Sequence, residues 1–171
     1  MKKMKNKKIL VIGAILGSLA IGAIFIALKI KKLLKYSIKF KGIKFTETNS
    51  KKIVFNANFD FKNNSDITLN VSNQEYDIYL NNIFMTTVFS KEDQIILANT
   101  ISPLSVTVDL TTKDVLSKIK SLGDGSASSL LKILTSLKEQ DLKIVYKFGI
   151  KFGLISIPLT FSYNDYIKNW A

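Results

Sequence analysis

Ile53-Val54-Phe55-Asn56-Ala57-Asn58-Phe59-Asp60-Phe61 decides the fold. Ile53, Phe55, Ala57, Phe59 and Phe61 fall on one side of an extended chain, and Asn56, Asn58 and Asp60 fall on the other. A side-chain period of two with one apolar and one polar face is the pattern of a half-buried antiparallel strand. Lys62 to Asp66 reads as a turn, and Ile67, Leu69 and Val71 resume the alternation. It breaks near Ser72–Gln74, then continues through Tyr76, Ile78 and Leu80. Asn81-Asn82 reads as a two-residue hairpin turn, because Asn tolerates positive φ, and Ile83 to Phe89 returns.

Further along, Gln94 to Ala98 is a short strand and Asn99 to Pro103 a turn. Leu104, Val106, Val108 and Leu110 alternate again. Thr111-Thr112-Lys113-Asp114 has the hydroxyl-to-acid spacing of a helix start, and Val115, Leu116, Ile119 and Leu122 follow at helical spacing. GDGSASS (Gly123 to Ser129) interrupts, and Leu130, Leu131, Leu134 and Leu137 give a second short helix. Leu142, Ile144, Tyr146 and Phe148 return to strand, and the last strands run from Ile150 to Tyr163. Pro158, which has no N–H, suits an edge position, and Trp170 is expected to pack back on the domain. Upstream of the opening stretch, Ile38 and Phe40 alternate with Lys39 and Lys41. Gly42 then shifts the phase, which predicts a bulge. Seven to nine strands with turns every 8–12 residues and one helical insertion predict an antiparallel β-sandwich.

Ahead of this domain, residues 9–28 (ILVIGAILGSLAIGAIFIAL) run without a charge. At about 1.5 Å per residue a helix of that length matches the roughly 30 Å hydrocarbon core of a bilayer. A buried core helix would show a polar face, and this segment has none. A cleaved signal peptide would have a shorter apolar run and a small-residue cleavage site. The expected organisation is therefore a basic tail (1–8), a transmembrane anchor (9–28) with Ile9, Leu16, Phe25 and Leu28 in the bilayer, a basic juxtamembrane segment (29–35), and the β domain (36–171). Gly13 and Gly17, four apart, could let two such helices approach, giving a possible homo-oligomer through the membrane helix.

Charge follows the same division. All 25 basic residues are Lys, and the net charge is +12. Residues 1–44 hold 12 Lys and no acid, which leaves 13 Lys against 13 acids in residues 45–171. The domain is thus neutral, and the excess flanks the anchor. A nucleic-acid-binding domain would carry its excess on a folded face and use Arg forks, so no nucleic-acid partner is expected. Lys29, Lys31, Lys32 and Lys35 are expected to meet anionic lipid head groups. Lysines are nearly balanced on the two sides of the anchor, so charge does not set its orientation.

The catalytic inventory is thin. The chain lacks Cys and His, which removes thiolate chemistry and the commonest general base and metal ligand. Glu75 and Asp77 could share a strand face for acid–base work or Ca²⁺, but a solvated face is the simpler reading. Asp124 in Gly-Asp-Gly lacks the other positions of a calcium loop. No catalytic residue, cofactor or metal site is expected. Phe55, Phe59 and Phe61 read as core; a groove for a lipid tail is the alternative.

Phe59-Asp60-Phe61-Lys62-Asn63-Asn64-Ser65, then Leu69, then Tyr76-Asp77-Ile78-Tyr79-Leu80-Asn81-Asn82, resembles the late-embryogenesis-abundant (LEA) type 2 family, also called the water-stress and hypersensitive-response (WHy) domain. Ile101 to Leu110, Val115 to Leu137, and Lys147-Phe148-Gly149-Ile150 through Ile157-Pro158 follow in the family's order, so the resemblance covers roughly Tyr36 to Tyr163. Asn63, Asn64, Asn81 and Asn82 fall on its turn motifs, with Asn64 in place of the family's Pro and Asn82 in place of its usual Gly. The resemblance implies an immunoglobulin- or fibronectin-like sandwich without a catalytic site. It also implies roles in stress tolerance, membrane association or lipid contact, with the domain held outside the cytoplasm. The function expected is a non-enzymatic, single-pass, membrane-anchored domain touching lipid or protein surfaces of the cell envelope. The alternative is a structural tether in a larger envelope or virion assembly.

Overall fold

A computed structural model describes residues 27–90, 92–118, 137, 139–152 and 154–169. It contains eight strands in two antiparallel sheets, with short helical elements at their ends. The expected β-sandwich is therefore found.

A first helix, α1, is described over residues 27–33. The strands are β1 (Tyr36–Thr48), β2 (Lys52–Asn63), β3 (Leu69–Leu80), β4 (Ile83–Ser90), β5 (Gln94–Ile96), β6 (Ile101–Thr111), β7 (Asp141–Phe152) and β8 (Ile155–Tyr166). Helix α2 (Thr112–Lys118) follows β6, and a 3₁₀ turn (Ile167–Asn169) closes the described chain. One sheet has the order β1-β2-β6 and the other β4-β3-β7-β8, with β5 continuing along the β3 edge beyond β4.

The opening stretch is the centre of the first sheet. Ile53, Phe55, Ala57, Phe59 and Phe61 are all buried and pair on both sides, with β1 and β6. They face Tyr76, Ile78, Tyr146 and Phe148 of the second sheet. The Tyr76 and Tyr146 rings stack 4.5 Å apart, and Phe59 lies 6.2 Å from Tyr76. Burying one such aromatic stabilises the fold by roughly 1.5–3 kcal/mol, so this layer carries much of the core. No lipid-tail groove opens along Phe55, Phe59 and Phe61, because the opposing sheet fills that space.

Gly42 lies at the expected bulge, with φ 131° and a register shift against β2. A residue with a Cβ is strained at that φ. A second shift, between Phe45 and Glu47, has no glycine to announce it. Asn81 and Asn82 have φ of 50° and 62°, the two left-handed residues of a type I′ hairpin. The break at Ser72–Gln74 is an irregularity inside β3, with Asn73 at φ 51°. Pro158 is on β8, an edge strand. The expected turn from Asn99 to Pro103 is shorter than predicted, because β6 already begins at Ile101 and takes in Pro103. β6 is also an edge strand, the place in a sheet where a proline is tolerated. Thr111 caps α2 as expected, its Oγ1 accepting from the Asp114 N–H at 3.1 Å. Ile119, Leu122, the GDGSASS break with Asp124, most of the second helix and Trp170 lie outside the described residues.

Candidate functional site

Strand register collects one set of chain ends at one end of the sandwich. Tyr36 pairs with Asn63, Lys62 with Ile101, Leu69 with Ile96, Val71 with Ile150, and Phe152 with Ile155. That end therefore carries the tether into β1, the β2–β3 turn, the β5–β6 loop and the β7–β8 hairpin. The opposite end carries the β1–β2 and β3–β4 turns and α2.

The tether is built into this end. Leu33 is 2% exposed and joins the core. The Lys32 ammonium meets the Asp66 carboxylate of the β2–β3 turn at 2.7 Å. That hydrogen bond, ahead of the unfavourable desolvation, holds the Asp66 carboxyl below its usual range. The Asn64 N–H donates to the Lys35 carbonyl at 2.8 Å. A proline at this position, the residue of the resembled family, could not make that bond. Tyr36 then stacks on Phe61, 5.2 Å away, and meets Phe148 edge-on at 5.7 Å.

Asn63 fixes the turn. Its side chain is fully buried, and Nδ2 donates towards the carbonyls of Ile67, Ile96 and Leu97 at 2.8, 3.2 and 3.0 Å. Oδ1 accepts from the Ser65 N–H and hydroxyl at 3.0 and 2.8 Å. Thus the residue expected as a turn former also ties β2 to the β5–β6 loop across the two sheets. Asn99, at φ 55°, donates its N–H to the Ser65 carbonyl at 3.0 Å.

Of the expected lipid-facing lysines, Lys31 and Lys35 are exposed on the tether, and Lys32 is engaged with Asp66. Lys62 adds another exposed cation beside them. Leu97, Ile101 and Leu154 are exposed at this same end; Leu97 is 59% exposed and Leu154 fully so. The expected anchor residues Ile9, Leu16 and Phe25 lie outside the described residues; Leu28, in α1, is exposed. Among the described residues no helix is long and apolar enough to cross a membrane.

At the other end Asn81 does more than turn the chain. Its N–H donates to the Asp141 carbonyl at 2.8 Å, its Oδ1 accepts from the Asp141 N–H at 3.0 Å, and its Nδ2 contacts the Gln140 side chain. Asn82 is exposed and serves the turn alone.

Glu75 and Asp77 do converge, on a cation supplied by the chain. Lys147 Nζ lies 2.7 Å from Glu75 and 2.6 Å from Asp77, and the Thr87 hydroxyl donates to Asp77 at 2.7 Å. Burial alone would push the Asp77 carboxyl up. Hydrogen bonds from Lys147 and Thr87 outweigh it and hold the carboxyl low. The Lys147 ammonium is held above its ordinary value, chiefly by its hydrogen bond to Asp77. Inside the core, the Gln74 Oε1 accepts from Tyr76 and Tyr146 at 3.1 and 2.7 Å, and burial pushes the Tyr76 phenol up to about 12. These are satisfied structural networks. Two shallow depressions are about 230 Å³, against β7–β8 towards their hairpin, and about 250 Å³, beside α2 at the opposite end. Among the described residues no three His, Cys, Asp or Glu side chains gather as metal ligands.

No protein-family model matches the chain, and no curated protein does. Solved structures do. One is a protein from Archaeoglobus fulgidus, 12% identical, covering 75% of this chain and 92% of its own at a TM-score of 0.50. A protein from Arabidopsis thaliana, 8% identical, covers 76% and 77% at 0.49. A protein described as late embryogenesis abundant, 16% identical, covers 96% and 87% at 0.44. At these identities the likeness is one of fold, and a LEA protein is among the structures this chain is similar to.

Neither the buried role of Asn63 nor the docked tether follows from residue type. A polar residue at the end of an inward-facing series (Phe59, Phe61, Asn63) is the sequence signal that could have marked the former. For the latter, Leu33 and Leu34 within a basic segment are a hint too short to carry a period.

Proposed function

We propose that the chain is a non-enzymatic, single-pass membrane protein whose LEA type 2-like sandwich is held at the bilayer surface, where it contacts lipid or protein surfaces. The observation that carries this reading is the docked tether. The residues following the apolar segment 9–28 are part of the folded domain through Leu33, the Lys32–Asp66 pair and the Asn64–Lys35 bond. Helix α1, described from Ala27 within that segment, is fixed to the sandwich, so a membrane-embedded segment 9–28 would hold the domain close to the bilayer. The strand orders β1-β2-β6 and β4-β3-β7-β8 support the finer immunoglobulin- or fibronectin-like description, with the fourth strand on the second sheet. The motif resemblance supports a stress-protective role and a location outside the cytoplasm.

The test is membrane fractionation. The wild-type chain is expected to resist alkaline carbonate extraction. Leu16→Lys places a charge at mid-segment, at a cost of roughly 2.5–3.5 kcal/mol plus the lost leucine contribution, and should shift protein to the extractable fraction. A wild-type chain released by carbonate would overturn the spanning assignment.

A second reading, a structural tether within a larger assembly, is favoured by one feature. Phe89 and Ile95 stand 66% and 69% exposed on the β4–β5 edge, an apolar margin suited to a protein neighbour. Co-purification of a stoichiometric partner that is lost on Phe89→Lys would select it.

A further inference from the structure

The tether end of the sandwich joins four features that are far apart in sequence. They are the exposed Leu97 of the β5–β6 connection and Ile101 at the start of β6, the fully exposed Leu154 of the β7–β8 hairpin, the exposed Leu28 in α1 and Leu34 just after it, and the cations Lys31, Lys35 and Lys62. Large aliphatic side chains left exposed put apolar surface in water, and Lys31, Lys35 and Lys62 at the same end would repel a basic partner. Asp66 in the β2–β3 turn is covered by Lys32, and Asp93 ahead of β5 by Lys151.

The tether says what meets this end. The uncharged segment 9–28 runs directly into α1. Residues 29–33 add at most about 8 Å of helix beyond it at 1.5 Å per residue. The headgroup layer of one leaflet is roughly 5–8 Å deep, the difference between the whole bilayer and its hydrocarbon core divided over two faces. A tether this short, fixed to the turn through Leu33, Asp66 and Asn64, gives the domain little room to stand off.

We propose that the tether end is a membrane-docking face for an anionic leaflet, with Leu154 and Leu97 entering the interface and Lys31, Lys35 and Lys62 on the head groups. This rests on the membrane-anchored reading above and adds a fixed orientation to it: the strands stand up from the bilayer, and the β1–β2 and β3–β4 turns point away from it. Strands of about 12 residues at roughly 3.3 Å per residue put those turns about 40 Å from the docking face.

The experiment uses the full chain in vesicles of phosphatidylcholine and phosphatidylserine. Trp170→Phe removes the one native tryptophan. Leu154→Trp, Leu97→Trp or Ser50→Trp then adds a single probe, all at exposed positions that leave the core intact, with Ser50 in the β1–β2 turn at the far end. Brominated phosphatidylcholine, which quenches tryptophan at the depth of its bromines, is the reporter. Strong quenching is expected at positions 154 and 97 and none at 50, weakening when phosphatidylserine is left out. Alkaline extraction of the same vesicles separates the two claims. Protein that is retained but unquenched at 154 and 97 overturns the docking face and leaves the anchor standing. Protein that is extractable yet quenched before extraction overturns the anchor and supports the face, and extractable, unquenched protein overturns both. Equal quenching at 50 and 154 overturns the orientation.

Discussion

Asn63 has the most to lose from a small change. Its fully buried side chain donates towards three carbonyls and accepts twice. Asn63→Ala strands the buried carbonyls of the β2–β3 turn and the β5–β6 loop. At about 1–3 kcal/mol per unsatisfied group, partly relieved by water entry, a loss near 3 kcal/mol is expected. Asn63→Asp keeps the acceptor but loses the donor and buries a charge, so it should be no better. Thermal unfolding of the detergent-solubilised chain, followed by near-ultraviolet circular dichroism, measures both; an unchanged midpoint for Asn63→Ala would remove the residue's pinning role. The Lys147 cluster gives a pH test. Asp77 has its folded-state pKa lowered, so its contribution is present above the unfolded value near 3.8 and is lost as pH falls through the folded one. Lys147 has its pKa raised, so its contribution is present below the unfolded value near 10.5 and fades as pH rises through the folded one. Lys147→Met should therefore lower the unfolding midpoint around neutrality, by a modest amount because the ammonium is half-exposed. That deficit should shrink as pH falls through the lowered folded-state value of Asp77. A deficit independent of pH would mean that the lysine stem, and not its charge, carries the effect.

At the level of elements, legibility tracked how far a residue's role depends on its own neighbours in sequence. Ile53 to Phe61, Leu104 to Leu110 and Leu142 to Phe148 announce their strands because alternation is local and one face is buried. Asn81-Asn82 and Thr111 are legible for the same reason, since a turn or cap is decided within four residues. The irregularities split on this point. Gly42 betrays its bulge because its backbone needs the missing Cβ, whereas the shift between Phe45 and Glu47 uses ordinary residues and leaves no mark. The expected turn through Pro103 overreached: proline disfavours a central strand, and only the tertiary arrangement shows that β6 is an edge. Glu75 and Asp77 read as a solvated face because their cation, Lys147, comes from β7, roughly seventy positions away. The bulge itself can be tested. Gly42→Val forces a Cβ into φ 131° and should cost about 1–3 kcal/mol, lowering the unfolding midpoint. A neutral result would show that the β1–β2 pair can slip into a register without the bulge.

Over the whole molecule, the decisive feature is that the tether and the sandwich form one body. A flexible linker would let the domain sample every orientation above a membrane, and loop closure would then cost entropy at each contact. Here Leu33 is buried, Lys32 reaches Asp66, and the Asn64 N–H holds the Lys35 carbonyl. The ion pair is exposed at both partners, so salt should weaken it and leave the other two contacts intact. Asn64 is thus the place where this chain and the resembled family's proline part in consequence as well as in identity. Asn64→Pro restores the family residue, deletes one backbone bond and sets its ring Cδ against the Lys35 carbonyl, so the tether must move off the turn. It should cost the sandwich little, about 1 kcal/mol or less, while loosening α1. The sequence contains no Cys, so Lys31→Cys gives a unique attachment point for a nitroxide on α1. In the full chain with Asn64 present, the spin label should report helix motion slaved to the slow tumbling of the domain. With Asn64→Pro a faster component should emerge, and adding Leu33→Ala should make it dominant. If the single variant already abolishes ordered motion, the backbone bond outweighs the buried leucine as the clamp. If even the double variant stays immobile, α1 is held by something other than these contacts, and a domain rigidly coupled through Leu33 and Asn64 is no longer the right description.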